Sequence, residues 1–351
     1  MNPIRVLVID DSAFMRKMIS DILSSENRIE IIGTARNGED GIKKINELAP
    51  DVVTLDVEMP KMDGISALQK IMETNPLPVV MLSSVTMEGA RKTVQAISTG
   101  AVDFISKPSG AISLDIATIK EEIISKVVTA SQVKLSKKKP EITHVNSGIR
   151  EPVSYSQKHS RSIVAIGTST GGPRALQRVL TDLPDDFQTP IVIVQHMPAG
   201  FTKSLADRLN TLSGIHIKEA EHGEIIQQNT AYIAPGNYHM RIREAGTALA
   251  VELTQDSTLH GHRPAVDVLF NSVSHLNKIN KLAVILTGMG SDGSDGIKHL
   301  KEKDPNAFVI AESEESSVVY GMPKAAVKTN CVNKIIHLHH VGETITYLDK
   351  N

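Results

Sequence analysis

The sequence predicts an α/β protein with two parallel-sheet domains in succession. We expect an N-terminal (βα)5 domain and a C-terminal doubly wound, Rossmann-like domain with an antiparallel hairpin region. β-branched runs alternate with amphipathic stretches in both halves of the chain, as in parallel sheets covered by helices. The length of 351 residues agrees, because about 150 residues per domain gives two domains. Hydrophobic residues make up 40% of the chain, enough for a core in each domain.

The first domain, residues 1–128, is predicted from its apolar runs. Five are typical of strands: IRVLVI (4–9), IEIIGTA (29–35), VVTL (52–55), PVVML (78–82) and VDFIS (102–106). Between the first two, Phe14, Met18 and Ile22 share one face of a predicted helix. A last helix is indicated by apolar residues at helical spacing, namely Ile116, Ile119, Ile123 and Val127.

Residues 129–161 differ in composition from both neighbouring segments. From 134 to 161 there are seven basic residues against two acidic ones, Glu141 and Glu151, and the apolar residues show no period. This pattern predicts a flexible, solvated, basic linker.

The second domain, residues 162–351, resumes the alternation of strands and helices. Its strand-like runs are SIVAIG (162–167), PIVIVQ (190–195), LAVILTG (282–288) and AFVIA (307–311). Between residues 230 and 254, the segments TAYIAPG, HMRIRE and ALAVELT alternate apolar and polar residues. This period predicts antiparallel hairpin strands.

The composition excludes several classes of function. There are 38 Lys and Arg against 40 Asp and Glu, so a net charge of −2 provides no broad cationic surface for nucleic acid or membrane lipid. Cys331, the single cysteine, has no partner for an internal disulfide. The opening MNPIRVLVIDDS is charged where a signal peptide is apolar, and no run approaches about 18 apolar residues. We therefore expect a cytoplasmic protein without membrane insertion.

Carboxylates follow two strands of the first domain. Asp10 and Asp11 come directly after the first strand and Asp56 after the third, so they meet at one edge of a parallel sheet. Carboxylates that converge in this way repel one another and need a cation, and their oxygen atoms suit Mg²⁺. Ser83 and Lys107 end two further strands at the same edge. An Asp pair alone is more often a helix cap, but the whole set suits an incoming phosphoryl group.

Across residues 3–125 the sequence resembles the receiver domain of two-component response regulators. The resemblance implies Asp56 as the phospho-acceptor. It implies Mg²⁺ bound by Asp10, Asp11 and Asp56, with the backbone carbonyl of Glu58 assisting. It also implies Ser83, Phe104 and Lys107 as the residues that respond to phosphorylation.

A serine site is predicted in the second domain. Gly167, Ser169 and Gly171 fit G-x-S-x-G, in which small residues allow a sharp turn that exposes a nucleophilic hydroxyl. Serine needs a base, and the base needs an orienting group. His196 and Asp292 both lie just past strands, where the carboxyl ends of a parallel sheet would gather all three.

Other interpretations of these residues compete. The glycine-rich loop GTSTGG is also typical of phosphate binding, but no Lys-Ser or Lys-Thr follows it as in a P-loop. His196 alone would suit a core histidine, and Asp292 could cap the helix ahead of it. The order Ser, His, Asp differs from that of α/β-hydrolases, although geometry rather than order defines a triad.

Six separated segments carry a second resemblance: GTSTGG, VQHMPAGFT, IAPGNYH, HRPAVDVLF, LTGMGSDG and VVYGMPKAA. Across residues 161–345 they resemble the catalytic domain of chemotaxis protein-glutamate methylesterases, the CheB family. The resemblance implies Ser169 as nucleophile, His196 as general base and acid, and Asp292 as the group that orients the imidazole. It further implies Thr170 and the N–H of Met289 as positioning and oxyanion groups.

The two resemblances together imply a phosphorylation-regulated serine hydrolase. Its expected substrates are glutamate γ-methyl esters and glutamines on the cytoplasmic helices of methyl-accepting chemotaxis receptors, and its expected phosphodonor is a chemotaxis histidine kinase. The receiver domain is expected to inhibit the esterase until Asp56 is phosphorylated. We expect a monomer that needs Mg²⁺ for phosphorylation and no cofactor for ester hydrolysis.

The sequence supports three other functions less well. Two groups of histidines have chelating spacings, but no cysteine or H-E-x-x-H helix accompanies them: His260 with His262, and His337 with His339 and His340. A transcriptional regulator would need a helix-turn-helix and a basic face, and the second half has neither. A catalytically inactive scaffold stays open from the sequence alone.

Overall fold

A computed structural model describes residues 2–107, 116–133 and 159–350. The chain forms two compact units that divide between Asn146 and Ser147. Most of the predicted linker, residues 134–158, lies outside the described residues, so its flexibility stays a prediction. The last helix of the first unit continues to Ser131, inside the range that composition assigned to the linker.

In its described part, the first unit is a five-stranded parallel sheet of order β2-β1-β3-β4-β5. Its strands are β1 (Ile4–Ile9), β2 (Ile29–Ala35), β3 (Val52–Asp56), β4 (Val79–Ser83) and β5 (Asp103–Ser106). Its helices are α1 (Ala13–Ser24), α2 (Gly38–Leu48), α3 (Gly64–Thr74), α4 (Met87–Thr99) and α5 (Ile116–Ser131). The strand order reverses between β1 and β3, which brings their following loops to one crevice.

Local sequence explains where these helices begin. The side chains of four capping residues accept backbone N–H groups in the first turns of α1 to α4: Ser12, Asn37, Asp63 and Thr86. The buried residues of α1 are Ile19, Ile22 and Leu23, whereas Phe14 is 58% exposed, so the face that Phe14 shares with Ile22 is only partly buried. At about 100° per residue, Phe14 lies about 80° from Ile22 on the side away from the other two.

In its described part, the second unit is built on a seven-stranded parallel sheet of order β14-β13-β12-β6-β7-β9-β8. Its strands are β6 (Ser162–Thr168), β7 (Ile191–Gln195), β8 (His216–Glu219), β9 (Thr230–Ile233), β12 (Asn280–Ile285), β13 (Phe308–Glu312) and β14 (Lys334–Ile336). An antiparallel hairpin consists of β10 (His239–Ala245) and β11 (Ala248–Thr254). The helices are α6 (Gly172–Thr181), α7 (Phe201–Asn210), α8 (Val266–Ser274), α9 (Ser294–Lys303), α10 (Met322–Lys328) and α11 (Val341–Lys350).

The predicted fold class is confirmed, with one correction in the hairpin region. The segment TAYI was expected to be antiparallel, but β9 pairs in parallel with both β7 and β8 and is buried throughout. Its polar atoms are satisfied inside the fold: the hydroxyl of Tyr232 accepts the N–H of Gln227 over 2.8 Å. The alternation of residue types therefore did not mark a solvent-exposed face. The short strands β8 and β14 were not predicted from the sequence.

None of the helices that the structure describes is long and apolar enough to cross a membrane.

Candidate functional site

One candidate site lies where the strand order of the second unit reverses. From β6 the chain moves to β7 on one side, and it later returns to β12 on the other side. Ligands of doubly wound sheets bind at the carboxyl ends of such neighbouring strands. Ser169 follows β6 and His196 follows β7. Because Thr168 pairs with Gln195, Ser169 and His196 stand at the same level of the sheet.

Glycines permit the sharp turn that presents Ser169. Gly171 has φ +79° and begins α6 without a side-chain cap, in a conformation that L residues rarely adopt. A Cβ on Gly288 would stand 2.9 Å from the Cβ of Ser169, so this approach also requires glycine. The N–H of Ser169 donates to the carbonyl of Thr287 over 3.0 Å, which ties the turn to the loop after β12. The segment has the geometry that a nucleophile turn requires.

His196 and Asp292 are in direct contact. Nε2 of His196 lies 2.8 Å from Oδ2 of Asp292, and both side chains are buried. Burial alone would raise the pKa of Asp292, but hydrogen bonds from His196 and from two backbone N–H groups lower it. An ionised carboxylate only accepts hydrogen bonds, so Nε2 carries the ring proton. Nδ1 has no hydrogen-bond partner among the described residues and is the nitrogen that carries the lone pair when the ring is neutral.

Asp292 caps a helix, but a different one from the helix considered in the sequence analysis. The helix ahead of it, α9, starts at Gly293 without a side-chain cap. The carboxylate of Asp292 instead accepts the N–H of Val266 over 2.7 Å and that of Asp267 over 2.9 Å, at the start of α8. The positive end of the α8 dipole favours the negative charge of Asp292. The carboxylate is thus fixed by α8 while it contacts His196.

Thr170 and Met289 lie in the loops that surround Ser169. Thr170 is buried, and its carbonyl accepts the hydroxyl of Thr287 over 2.9 Å. Met289 lies in the loop between β12 and α9, with its side chain 39% exposed. Their positioning and oxyanion roles stay predictions.

Two groups near this site, His262 and Glu312, were not predicted as part of it from the sequence. The ring of His262 stacks on that of His196, with centroids 3.9 Å apart and an interplanar angle of 11°. Glu312, buried at the end of β13, accepts the N–H of Thr287 over 2.7 Å. Nothing in the sequence distinguishes His262 from its neighbour His260. Glu312 closes an apolar run and carries no motif, so no sequence signal indicated it.

A second candidate site lies at the carboxyl edge of the first unit's sheet. Carboxylate oxygens of Asp10, Asp11 and Asp56 lie within 4.8 Å of one another. Nζ of Lys107 lies 2.9 Å from Oδ2 of Asp10 and 2.8 Å from Oδ2 of Asp56. The structure thus brings together the carboxylates and the lysine that the sequence placed at separate strand ends.

The electrostatics of this pocket favour a bound cation. Burial raises the pKa of Asp56 to about 6; the nearby charge of Asp10 adds to the increase, and Lys107 opposes it. Oδ2 of Asp10 and Oδ2 of Asp56 are buried, and both contact the single ammonium group of Lys107. One ammonium group does not neutralise three carboxylates, and such hard oxygen donors fit Mg²⁺.

The remaining predicted residues lie around this pocket. Ser83 is buried at the end of β4, where its hydroxyl donates to the carbonyls of Ser84 and Gly89 at 3.2 Å each. Phe104 is buried in β5, and Nζ of Lys126 lies 5.0 Å from its ring centroid. The N–H of Glu58 donates to Oδ1 of Asp56 over 3.4 Å.

The histidine groups with chelating spacing have other contacts. His262 stacks on His196, whereas Nε2 of His260 lies 3.7 Å from Oδ2 of Asp267, with Asp295 within 4.8 Å of both. His337 and His339 stack on each other with centroids 4.9 Å apart.

Comparison with known proteins decides the family. The CheB methylesterase family model matches residues 164–345, and the response regulator receiver domain model matches residues 6–118. The chain belongs to the CheB methylesterase family. A protein-glutamate methylesterase/protein-glutamine glutaminase of Oceanobacillus iheyensis is 56% identical, covering 98% of this chain and 99% of that protein. One of the same name from Bacillus subtilis is 51% identical, with 98% of both chains covered.

The solved structures agree with this assignment. The crystal structure of the Thermotoga maritima CheB methylesterase catalytic domain matches with a TM-score of 0.52 and 40% identity, over 54% of this chain and 99% of that one. Both predicted resemblances are therefore confirmed. The chain is an enzyme of the CheB methylesterase family that also carries a receiver domain.

Proposed function

We propose that this enzyme hydrolyses glutamate γ-methyl esters, and deamidates glutamines, on the cytoplasmic helices of methyl-accepting chemotaxis receptors. The observation that carries the proposal is the buried contact between His196 and Asp292 at the strand edge where Ser169 is presented. The names of the relatives supply the substrate class. The three side chains supply the components of acyl transfer.

In the first half of the reaction, Oγ of Ser169 attacks the γ-carbonyl carbon of the substrate. Nδ1 of His196 takes the hydroxyl proton, while Asp292 holds Nε2–H and stabilises the imidazolium. The C–O bond to the methoxy group then breaks, and the proton on Nδ1 passes to the leaving oxygen. Methanol departs and leaves the glutamyl group esterified to Ser169.

In the second half, water attacks the acyl-serine carbon and gives its proton to Nδ1. The serine leaves with that proton, and the product is a glutamate side chain. With a glutamine substrate the same steps release ammonia in place of methanol. We assign Thr170 and the N–H of Met289 to the oxyanion in both halves, where one donor contributes about 3 to 4 kcal/mol in comparable hydrolases. No cofactor enters these steps.

Methanol release from methylated receptor tests this chemistry. We expect Ser169→Ala to lower the rate by at least about 1,000-fold, because the remaining groups lack a nucleophile. Ser257→Ala, which changes an exposed serine of the same unit, should match the wild type. Full activity in Ser169→Ala would contradict the proposal.

We further propose that Asp56 accepts a phosphoryl group from a chemotaxis histidine kinase. Asp10, Asp11, Asp56 and the carbonyl of Glu58 would hold Mg²⁺, which when bound offsets the negative charge of the pocket and of the incoming phosphoryl group. Lys107 would pair with a phosphoryl oxygen, and Ser83 would donate a hydroxyl to another. The close carboxylates and the shared contact of Lys107 support this assignment.

Phosphorylation is proposed to relieve inhibition of the esterase by the receiver domain. A phosphate adds about −1.5 to −2 charges, enough to rearrange Ser83 and Lys107. Phe104 would take part in that rearrangement. The enzyme is proposed to act as a monomer in the cytoplasm.

A further inference from the structure

A buried carboxyl group that the hydrolytic steps do not use lies two hydrogen bonds from Ser169. Glu312 ends β13 and is 0% exposed. Its Oε2 accepts the N–H of Thr287 over 2.7 Å, and its Oε1 accepts the hydroxyl of Ser316 over 3.0 Å. The hydrogen-bond partners of both carboxylate oxygens among the described residues are therefore neutral groups. A buried carboxylate without a counter-ion destabilises a fold, so its presence beside the catalytic loops calls for a function.

Thr287 connects Glu312 to the nucleophile turn, which we define as residues 168–170. The carbonyl of Thr287 accepts the N–H of Ser169 over 3.0 Å and the hydroxyl of Thr168 over 2.8 Å. Its own hydroxyl donates to the carbonyl of Thr170 over 2.9 Å. One residue therefore binds the whole turn, and Glu312 holds the N–H of that residue.

We propose that the carboxylate of Glu312 is a positioning group that fixes Thr287 and, through it, the nucleophile turn. The proposal rests on the proposed role of Ser169. A hydrogen bond to an ionised acceptor is stronger than one between neutral groups. Ionised Glu312 therefore holds Thr287, and hence the direction of Oγ of Ser169, more firmly than protonated Glu312 does.

The same ionisation has the opposite effect on the stability of the fold. Burial raises the pKa of Glu312 to about 7, against the hydrogen bonds from Thr287 and Ser316. Because the folded pKa lies above its usual value, Glu312 stabilises the fold at low pH, and this contribution is lost as the pH rises through about 7. A neutral side chain of the same shape should therefore make the protein more stable and less active above that pH. A purely structural role predicts that stability and activity fall together.

Glu312→Gln in the full chain separates these roles. We would measure kcat and KM for methanol release, and the urea midpoint of unfolding, from pH 6 to pH 9. At pH 8.5 we expect kcat to fall about 3- to 10-fold with KM within about twofold of the wild type, while the unfolding midpoint rises. At pH 6 the two proteins should have the same kcat. The wild type and Glu312→Gln have the same triad. Any pH dependence of the triad therefore cancels in the ratio of their kcat values.

Glu314→Gln is the matched control, because Glu314 is exposed in the same loop. It should match the wild type in both measurements. The proposal is overturned if Glu312→Gln keeps the wild-type kcat at pH 8.5, if its kcat falls equally at every pH, or if it fails to fold. If wild-type activity does not depend on Ser169, the proposed function itself fails, and the Ser169→Ala assay shows this separately.

Discussion

The acidic pocket of the first unit, formed by Asp10, Asp11 and Asp56, and the candidate hydrolytic crevice of the second, formed by Ser169, His196 and Asp292, use carboxylates in opposite ways. In the pocket, Asp10 and Asp56 share Lys107, the carboxylate of Asp11 lies within 4.8 Å of both, and the pKa of Asp56 is raised. In the crevice, Asp292 accepts hydrogen bonds from His196 and from two N–H groups of α8, and its pKa is lowered. The pocket therefore favours a cation from solution, whereas the carboxylate of the crevice has its hydrogen-bond donors within the chain.

Asp292→Asn tests whether the carboxylate of Asp292 holds the imidazole of His196. It should have the largest effect, a loss of kcat. An amide can accept only through its oxygen, so its NH₂ group must face either the α8 amides or Nε2 of His196. If the NH₂ group donates to Nε2, the imidazole of His196 must carry its proton on Nδ1, which is the wrong tautomer for a base. We expect kcat for methanol release to fall about 10⁴-fold, as for the equivalent change in a serine protease triad.

Asp207→Asn is the control for this variant, because Asp207 is exposed on α7 and pairs with Lys203 at 2.9 Å. It should leave kcat unchanged. A loss below about tenfold in Asp292→Asn would show that the carboxylate does not hold the imidazole in its active form.

Addition of Mg²⁺ tests whether the acidic pocket binds a cation. Its expected effect, on the free energy of unfolding, is intermediate in size. At about 100 times its dissociation constant, a ligand of the folded state stabilises by about 2.7 kcal/mol. We expect that gain in the unfolding free energy of the wild type and little of it in Asp11→Asn, measured by urea denaturation. EDTA should reverse the gain without changing basal methanol release. Loss of the basal rate in EDTA would mean that the crevice also depends on a metal.

His262 tests how firmly the crevice holds its base and should have the smallest effect. The stacked ring restricts the orientation of His196, and such aromatic pairs contribute about 0.5 to 1.5 kcal/mol. We expect His262→Ala to lower kcat by about 2- to 10-fold and His262→Phe, which keeps a flat ring, to restore most of it. Equal activity of His262→Ala and the wild type would show that the stack has no effect on the reaction.

The same comparison explains how much the sequence could predict. Asp10, Asp11 and Asp56 directly follow buried strands, so the parallel-sheet rule alone placed them together. Ser169 and His196 follow adjacent strands in register, and their proximity was equally predictable. The strand TAYI was wrongly predicted to be antiparallel because Tyr232 counts as polar in the alternating pattern. In the fold its hydroxyl is hydrogen-bonded to the N–H of Gln227, so the side chain is buried.

The contacts that hold the crevice residues in place could not be predicted from sequence patterns. Asp292 lies in a loop, and its position depends on the N-terminus of α8, a helix that precedes it in the chain. His262 and Glu312 act through contacts that only the folded chain creates. Long-range hydrogen bonds and ring stacking leave no period or spacing in the sequence, so these residues could not be predicted.

The most direct test of the central claim, that a complete hydrolytic site is controlled by a separate pocket that needs a cation, compares wild type with Asp56→Asn. Methanol release is measured with and without Mg²⁺ and a small acyl phosphate as phosphodonor. We expect equal basal rates and stimulation of the wild type alone. Stimulation of Asp56→Asn, or loss of its basal rate, would contradict the account.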